Sequence, residues 1–451
     1  MEELAAVNTT QLILAALAGL AVLLVLIIRF KVPALIAILI GAVVIGFGAG
    51  MSAADIIDSV NDGVGNTLKS IALLVGLGSM FGSVLEISGG AQVLATILLD
   101  KFGEKKAALA LSVTGMVVAI PVFFDAGLII LIPLAFSLAK RTGRSSLYYV
   151  IPLLAGLAVG HAFIPPTPGP VLVASMLGVD LGWVILVGFI CGIPALIVAG
   201  PLWSRYCGRK YNIVVPEYIA KMPEVEKENL PGPLTVAGII MIPLLLIVLK
   251  SLAGVWTWLE PAKGVLSFLG EPFVALTLTT VAAMIILGYR HGYKAEALEK
   301  VMVKALEPAG LILLVTAAGG ILRYILQNSG LGLVIGNSIS ASSLPLVLVA
   351  FLVAALVRIS IGSATVAMTM AAGFIAAIPG LGSFSPMYLA CVTAAIAGGA
   401  TVCSHFNDSG FWLVKSLVGM DEKTTLKTWT IMETLTGCTG FIVALILSFF
   451  V

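Results

Sequence analysis

The sequence predicts an all-α polytopic membrane protein, and three observations predict it. Of 451 residues, 60% are hydrophobic and only 11% charged, with a mean hydropathy of +1.13. A soluble domain carries about 25% charged residues, so this chain lacks the polar groups to face water. Apolar runs of spanning length recur from end to end. Lys and Arg gather in the short segments between them, as they do in cytoplasmic loops. The 48 glycines suit helices that pack closely in lipid. A net charge of +2 gives no basis for nucleic-acid binding. Cys191, Cys207, Cys391, Cys403 and Cys438 lie far apart, without zinc or disulfide spacing, so no metal or cofactor is expected.

The first run, QLILAALAGLAVLLVLII at 11–28, is long enough to cross the hydrocarbon core. The residues before it are acidic or uncharged and no small-residue cleavage site follows, so it reads as a span and not as a signal peptide. Further runs lie near 32–50, 70–88, 107–140, 147–180 and 182–203, then, past a polar segment at 204–233, near 234–253, 272–290, 307–328, 344–378, 386–414 and 429–450. The amphipathic segments 51–69 and 291–306 are expected along the interface. The basic clusters are Arg29/Lys31, Lys101/Lys105/Lys106, Arg141/Arg144, the 204–233 segment, Arg290/Lys294/Lys300/Lys304 and Lys415/Lys423/Lys427. All fall on the inside if the N-terminus is outside, if 107–140 and 344–378 enter and return as re-entrant hairpins (two tilted full spans being the alternative for 107–140), and if 147–180 and 386–414 are interrupted crossings. Residues 89–106 are then an inner loop.

Each half thus has about five crossings, one hairpin and one broken helix. Five is odd, so the halves are expected to be inverted repeats: 1–203 and 234–451, joined by a cytoplasmic linker at 204–233. Weak internal similarity agrees. GSMFGSVLEISGG (78–90) resembles GGILRYILQNSG (319–330), and AGLAVGHAFIPPTPGP (155–170) resembles AGGATVCSHFNDSGF (397–411). Inverted repeats with helices broken at matching positions point to a transporter whose site lies near mid-membrane.

The breaks carry the chemistry. HAFIPPTPGP (161–170) holds four prolines beside His161, and a proline inside a helix costs about 3 kcal/mol. An intact helix satisfies its own backbone; a broken one offers amides and carbonyls to a solute, and its restarting N-terminus favours anions. SHFNDSGFWLVK (404–415) is the matching interruption, with His405, Asn407, Asp408 and Ser409. Asp408 suits a helix cap or a proton carrier. Asn407 and Ser409 suit sugar-like hydroxyls. The hairpin tips add Asp125 in IPVFFDAG and Arg358 in VRISIGSAT, the latter followed by a Gly-Ser-Ala-Thr turn with Ser363 and Thr365. An ionisable group at the bilayer centre costs about 2.5–3.5 kcal/mol even on insertion scales, so each is a functional candidate. Arg358 can engage a carboxylate bidentately; Asp125 can carry a proton. The structural alternatives are an Asp125–Arg358 ion pair or snorkelling of Arg358 to the interface. Glu86 and Arg323 are read as snorkelling, and Glu433 as pairing with a loop lysine.

FFDAGLIILIPL, GHAFIPPTPGPV, RISIGSAT, SHFNDSGFWLVK and TLKTWTIMET occur in this order across most of the chain. In them the sequence resembles the gluconate permease family, the gluconate:H⁺ symporters. The resemblance implies a bacterial inner-membrane symporter for small hydroxylated organic anions: gluconate, other sugar acids or D-serine. It also implies a place in the wider ion-transporter superfamily, whose members pair re-entrant hairpins with interrupted helices, usually as dimers moving by an elevator-like shift. Family members often have His between the prolines where this chain has Thr167, which removes a titratable group there.

The expected function is proton-coupled uptake of gluconate or a related anion by a lipid-embedded homodimer. The first break supplies His161, Thr167 and Gly169 to the substrate. Arg358, Ser363 and Thr365 come from the second hairpin, and His405, Asn407 and Ser409 from the second break. Asp125, Asp408 or His161 carries the proton. The alternatives are a sodium-coupled carboxylate transporter, an intramembrane metalloenzyme, against which stands the lack of an HExxH motif, and a passive channel.

Overall fold

The computed structural model describes residues 9–103, 106–216, 230–253, 261–334 and 344–451, and every regular element among them is helical. The first half runs α1 (Thr9–Ile28), α2 (Ala34–Gly48), α3 (Ala53–Ile87), α4 (Gly90–Phe102), α5 (Ala107–Ala119), α6 (Phe124–Thr142), α7 (Leu147–Phe163), α8 (Pro168–Leu177), α9 (Leu181–Ile197) and α10 (Trp203–Lys210). The second runs α11 (Pro233–Ala253), α12 (Lys263–Leu269), α13 (Pro272–Ala283), α14 (Ala295–Lys304), α15 (Leu306–Asn328), α16 (Leu346–Ile361), α17 (Ala364–Ala376), α18 (Pro386–Thr401), α19 (Ser409–Val418), α20 (Glu422–Thr425) and α21 (Ile431–Ser448). Eight helical stretches among the described residues are long and apolar enough to cross a membrane.

Both hairpins and both breaks form where the sequence places them. α5 and α6 part at residues 120–123, and α16 and α17 at Gly362–Ser363. α5 has 13 residues, which rise about 20 Å and stop short of a core of about 30 Å. α7 and α8 are separated by residues 164–167, α18 and α19 by 402–408. Gly362 makes the second hairpin's sharp turn at φ +85°, a conformation glycine adopts without cost.

Three expectations are corrected. Residues 51–69 do not lie apart along the interface; they are the first part of α3, a helix of 35 residues and roughly 52 Å. A stripe of small residues along it is turned to protein, while Asp55, Asp58, Asp62 and Lys69 are exposed. Ser59, Gly63 and Thr67 are buried, Asn328 donates to Ser59 at 2.9 Å, and Asn66 donates to the Tyr324 hydroxyl at 2.8 Å. Residues 291–306 likewise lead through α14 into α15 as one 34-residue stretch. The 89–106 loop is mostly α4. For 51–69, amphipathicity marked a helix–helix face that hydropathy alone cannot tell from a headgroup contact. The polar linker begins within α10, and Ser145 and Ser146 donate to the carbonyls of Tyr211 and Ile213 at 2.7 and 2.9 Å. Its centre, 217–229, lies outside the described residues.

Glycines set the helix spacing. α5 packs on α7, and a Cβ at Gly115 would lie 2.6 Å from the Leu153 carbonyl oxygen; one at Gly156 would collide with the Ser112 carbonyl. α16 packs on α18 in the same way, with Gly399 against the Phe351 carbonyl. The halves interlock: α8 packs on α17 and α18, and α9 on α18 and α21. The four interruptions are thereby held together in the middle of the bundle.

Gly156→Val is expected to destabilise the protein by at least the roughly 1–3 kcal/mol of overpacking, seen as a lower unfolding temperature in detergent. Gly238→Ala, where nothing lies within 4 Å of the added carbon, is the neutral control.

Candidate functional site

The second break is organised around one ion pair. Arg358, in the last turn of α16, is 2% exposed. It donates through Nη2 to Asp408 Oδ2 at 2.5 Å and through Nη1 to the Gly362 carbonyl. Asp408 is also the N-cap of α19, accepting from the Gly410 amide at 3.0 Å on Oδ1. Ser404 donates to Oδ2 at 2.5 Å, and Trp429 donates to Ser404 at 2.7 Å. The Cys403 amide donates to Thr434 at 3.1 Å, and Thr430 donates to the Ser404 carbonyl. The carbonyl of Ile359 accepts from Asn407 Nδ2 at 2.9 Å and lies 3.0 Å from His405 Nε2. Hairpin tip, break and α21 are thus one hydrogen-bonded unit.

The first break uses less charge. α7 ends at Phe163, and Pro168 opens α8, where its missing N–H would have had no partner anyway. Thr167 donates its hydroxyl to the Ile164 carbonyl at 2.7 Å. α6 and α8 start without a side-chain cap, whereas α17 is capped by Ser363 and α19 by Asp408.

All four restarting helices open on one cavity of about 130 Å³. It is lined by Phe124 and Asp125 at the start of α6, Gly169 of α8, Ala364 and Thr365 of α17, and Ser409 and Gly410 of α19. His161, Arg358, Asp408 and Glu433 complete its polar wall. The cavity continues into a vestibule of about 940 Å³, which shares Asp125, His161, Thr365, Asp408 and Ser409 and is walled by the apolar starts of α2 and α15. Each helix start contributes roughly half a positive charge, so the positive ends and Arg358 face the same space as three carboxyl groups.

Of the residues singled out in the sequence, Asp125, His161, Gly169, Arg358, Thr365, Asp408 and Ser409 line the inner cavity. Ser363 and Asn407 line the vestibule. Thr167 lies off the cavity, in a cleft beside Gly78 and Ser79 of α3 that His161 also borders. Its hydroxyl proton is engaged by the backbone. His405 borders neither space; its ring stands on the hairpin tip. Gly169 has a packing role too, since a Cβ there would lie 2.5 Å from Met368 of α17. Arg358 pairs with Asp408 and not with Asp125. Lys415 pairs with Glu422 at 2.8 Å.

Glu433 is the residue the sequence reading misplaced. It does not reach a loop lysine. It is 5% exposed, lines the inner cavity, and its Oε1 has no hydrogen-bond partner among the described residues. A signal was present: Glu433 is in register with Thr436, Gly437, Gly440 and Ala444, the small residues on the buried stripe of α21. An acid on a small-residue face points into the bundle.

Interrupted helices around an internal cavity, with an ion pair at its wall, in an otherwise apolar bundle define a membrane transporter. The chain matches the family model of GntP family permeases over residues 11–450. It is 36% identical to the low-affinity gluconate transporter of Escherichia coli K12, over 97% of this chain and 98% of that protein. It is 36% identical to the L-idonate transporter of the same organism, over 94% and 96%, and 34% identical to the gluconate permease of Bacillus subtilis, over 95% and 98%. Its fold is similar to that of the Alcanivorax borkumensis YdaH transporter (TM-score 0.62, 17% identity, 88% of this chain and 90% of that one) and of Neisseria gonorrhoeae MtrF (0.64, 16%, 88% and 85%). The chain belongs to the GntP permease family. It is a transporter, not an enzyme, and a multi-pass protein of the inner membrane.

Breaking the buried pair from one side leaves an unpaired charge, which costs about 3–5 kcal/mol. Asp408→Ala is expected to lower thermal stability in detergent sharply, and Arg358→Met added to it to restore much of the loss. Additive losses would show that the two side chains do not stabilise each other.

Proposed function

We propose that this protein takes up gluconate, or a closely related small hydroxylated organic anion, together with a proton. The observation that carries the reading is the meeting of four helix N-termini and Arg358 in one cavity that also holds Asp125 and Glu433, neither in an ion pair among the described residues. The N-termini and the guanidinium suit a carboxylate. The hydroxyls of Thr365 and Ser409 suit a polyol chain. Sequence similarity over nearly the whole chain to gluconate and L-idonate transporters supports the substrate class.

Coupling follows from charge. With Arg358 neutralised by Asp408, an incoming anion meets Asp125 and Glu433. Two like charges about 6 Å apart at an effective dielectric near 20 repel by about 3 kcal/mol. Protonating a carboxyl removes that repulsion, so anion and proton enter together. His161, whose Nδ1 is buried without a partner, is placed to pass the proton. The succession of a helix pair with a sharp turn and then a broken helix in both halves supports reading 1–203 and 234–451 as inverted repeats about the 204–233 linker, and the exposed apolar residues of α1 and α11 support lipid or homodimer contacts.

In proteoliposomes, labelled gluconate is expected to accumulate under an inward proton gradient, and Arg358→Ala to abolish binding. Uptake that follows sodium and ignores pH would replace the proton with sodium. Competition by D-serine stronger than by L-idonate would move the substrate to an amino acid, and unchanged affinity in Arg358→Ala would remove Arg358 from the site.

A further inference from the structure

Two carboxyl groups of the second half share the inner cavity, and their surroundings differ. Asp408 is fully engaged: Oδ1 caps α19, and Oδ2 accepts from Arg358 and Ser404. Taking up a proton there would break the ion pair and loosen the unit that holds the break together. Glu433 is equally hidden from bulk water, yet its Oε1 accepts no hydrogen bond among the described residues. An unpaired carboxylate in such a place is costly, and the neutral acid is the form such a site tolerates.

The elements packed against α21 offer little that could hold the charge. These are α7, α9, α16 and α18, with the five-residue turns at Val198–Leu202 and Leu426–Thr430. Between Leu181 and Leu202 there is no Asp, Glu, Lys, Arg or His, and α18 has none either. α7 supplies His161 and α16 supplies Arg358; Lys427, in the turn before α21, is exposed. Across the cavity stand Asp408 and, from α6, Asp125. Arg358, the one cation lining the cavity among the described residues, is already committed to Asp408 and to the Gly362 carbonyl. Trp429, one turn before Glu433 on the same face, donates its indole N–H to Ser404 and not to Glu433.

We propose that Glu433 is a proton-carrying carboxyl of the transport cycle, acting with Asp125, and that Asp408 stays ionised throughout. The proposal rests on the proton-coupled reading above and assigns the proton within it. Glu433 takes the proton from the vestibule side as the anion enters. The new O–H donates to a substrate oxygen, and the same proton leaves to the other compartment after the anion does. The carboxyl is thereby both charge compensator and ligand, and an anion can bind beside it only in the acid form.

Glu433→Gln tests this, because the amide keeps size and a donor but cannot ionise. The full-length protein is reconstituted, with gluconate as the probe. An inward gradient of one pH unit supports about tenfold accumulation for one coupled proton. Wild type is expected to show gradient-driven accumulation and binding that weakens as pH rises. Glu433→Gln is expected to lose the proton-driven accumulation and to bind gluconate with a flattened pH profile. Driven accumulation and a pH profile like wild type in Glu433→Gln would overturn the proposal while leaving proton coupling intact. A wild type without proton-driven uptake would overturn the coupling itself, and the proposal with it. If Glu433→Gln does not fold, Glu433→Asp decides. A displaced pH midpoint of gluconate binding supports the proton role; an unchanged midpoint makes Glu433 a packing residue and overturns it.

Discussion

A helix interrupted within hydrocarbon must find partners for the amides and carbonyls it releases, and here the Arg358–Asp408 pair supplies them at the second break. One guanidinium ties the Gly362 carbonyl to a carboxylate, and that carboxylate caps the helix which restarts after the break. Asp408 alone would be a buried charge, and Arg358 alone another. Together they make a neutral joint between hairpin tip, break and α21, rigid enough to hold a cavity open beside it.

The two halves reach the same geometry by different chemistry. The first break has prolines whose missing N–H groups need no partners, and a threonine that satisfies a carbonyl of its own turn. The second has an ion pair and a chain of hydroxyl and indole donors. The cavity is therefore asymmetric. α6 and α8 present uncapped N-termini to it, whereas α17 and α19 present capped ones beside the only buried arginine among the described residues. A dipolar or anionic solute with hydroxyls along its length would lie differently against each side.

The carboxyl groups divide along the same line. Asp408 belongs to the architecture; Asp125 and Glu433 border the cavity without counter-ions among the described residues. This separation lets structure and transport use the same kind of side chain in the same space. The fixed pair keeps its charge, and the free acids can change theirs without unravelling a helix.

Much of this was legible in the sequence. Hydropathy gave the spans, the density of prolines and of Asn, Asp and Ser gave the breaks, and the cost of charge in lipid singled out Asp125, Arg358 and Asp408, because each of these signals is local and large. What each polar face met was not legible. The small-polar stripe of α3 looked like an interfacial surface until α15 was seen to cover it. The one ion pair the sequence suggests for Arg358 is with Asp125; the crossing of α16 beside the 402–408 break gives it Asp408 instead. Glu433, a turn inside its helix, read as a surface acid until the packing of α21 on α9 and α18 turned it inward. Transfer free energy belongs to the residue and its neighbours in sequence, while partnership and burial depend on which helices lie alongside, and that is settled only when the whole bundle has packed.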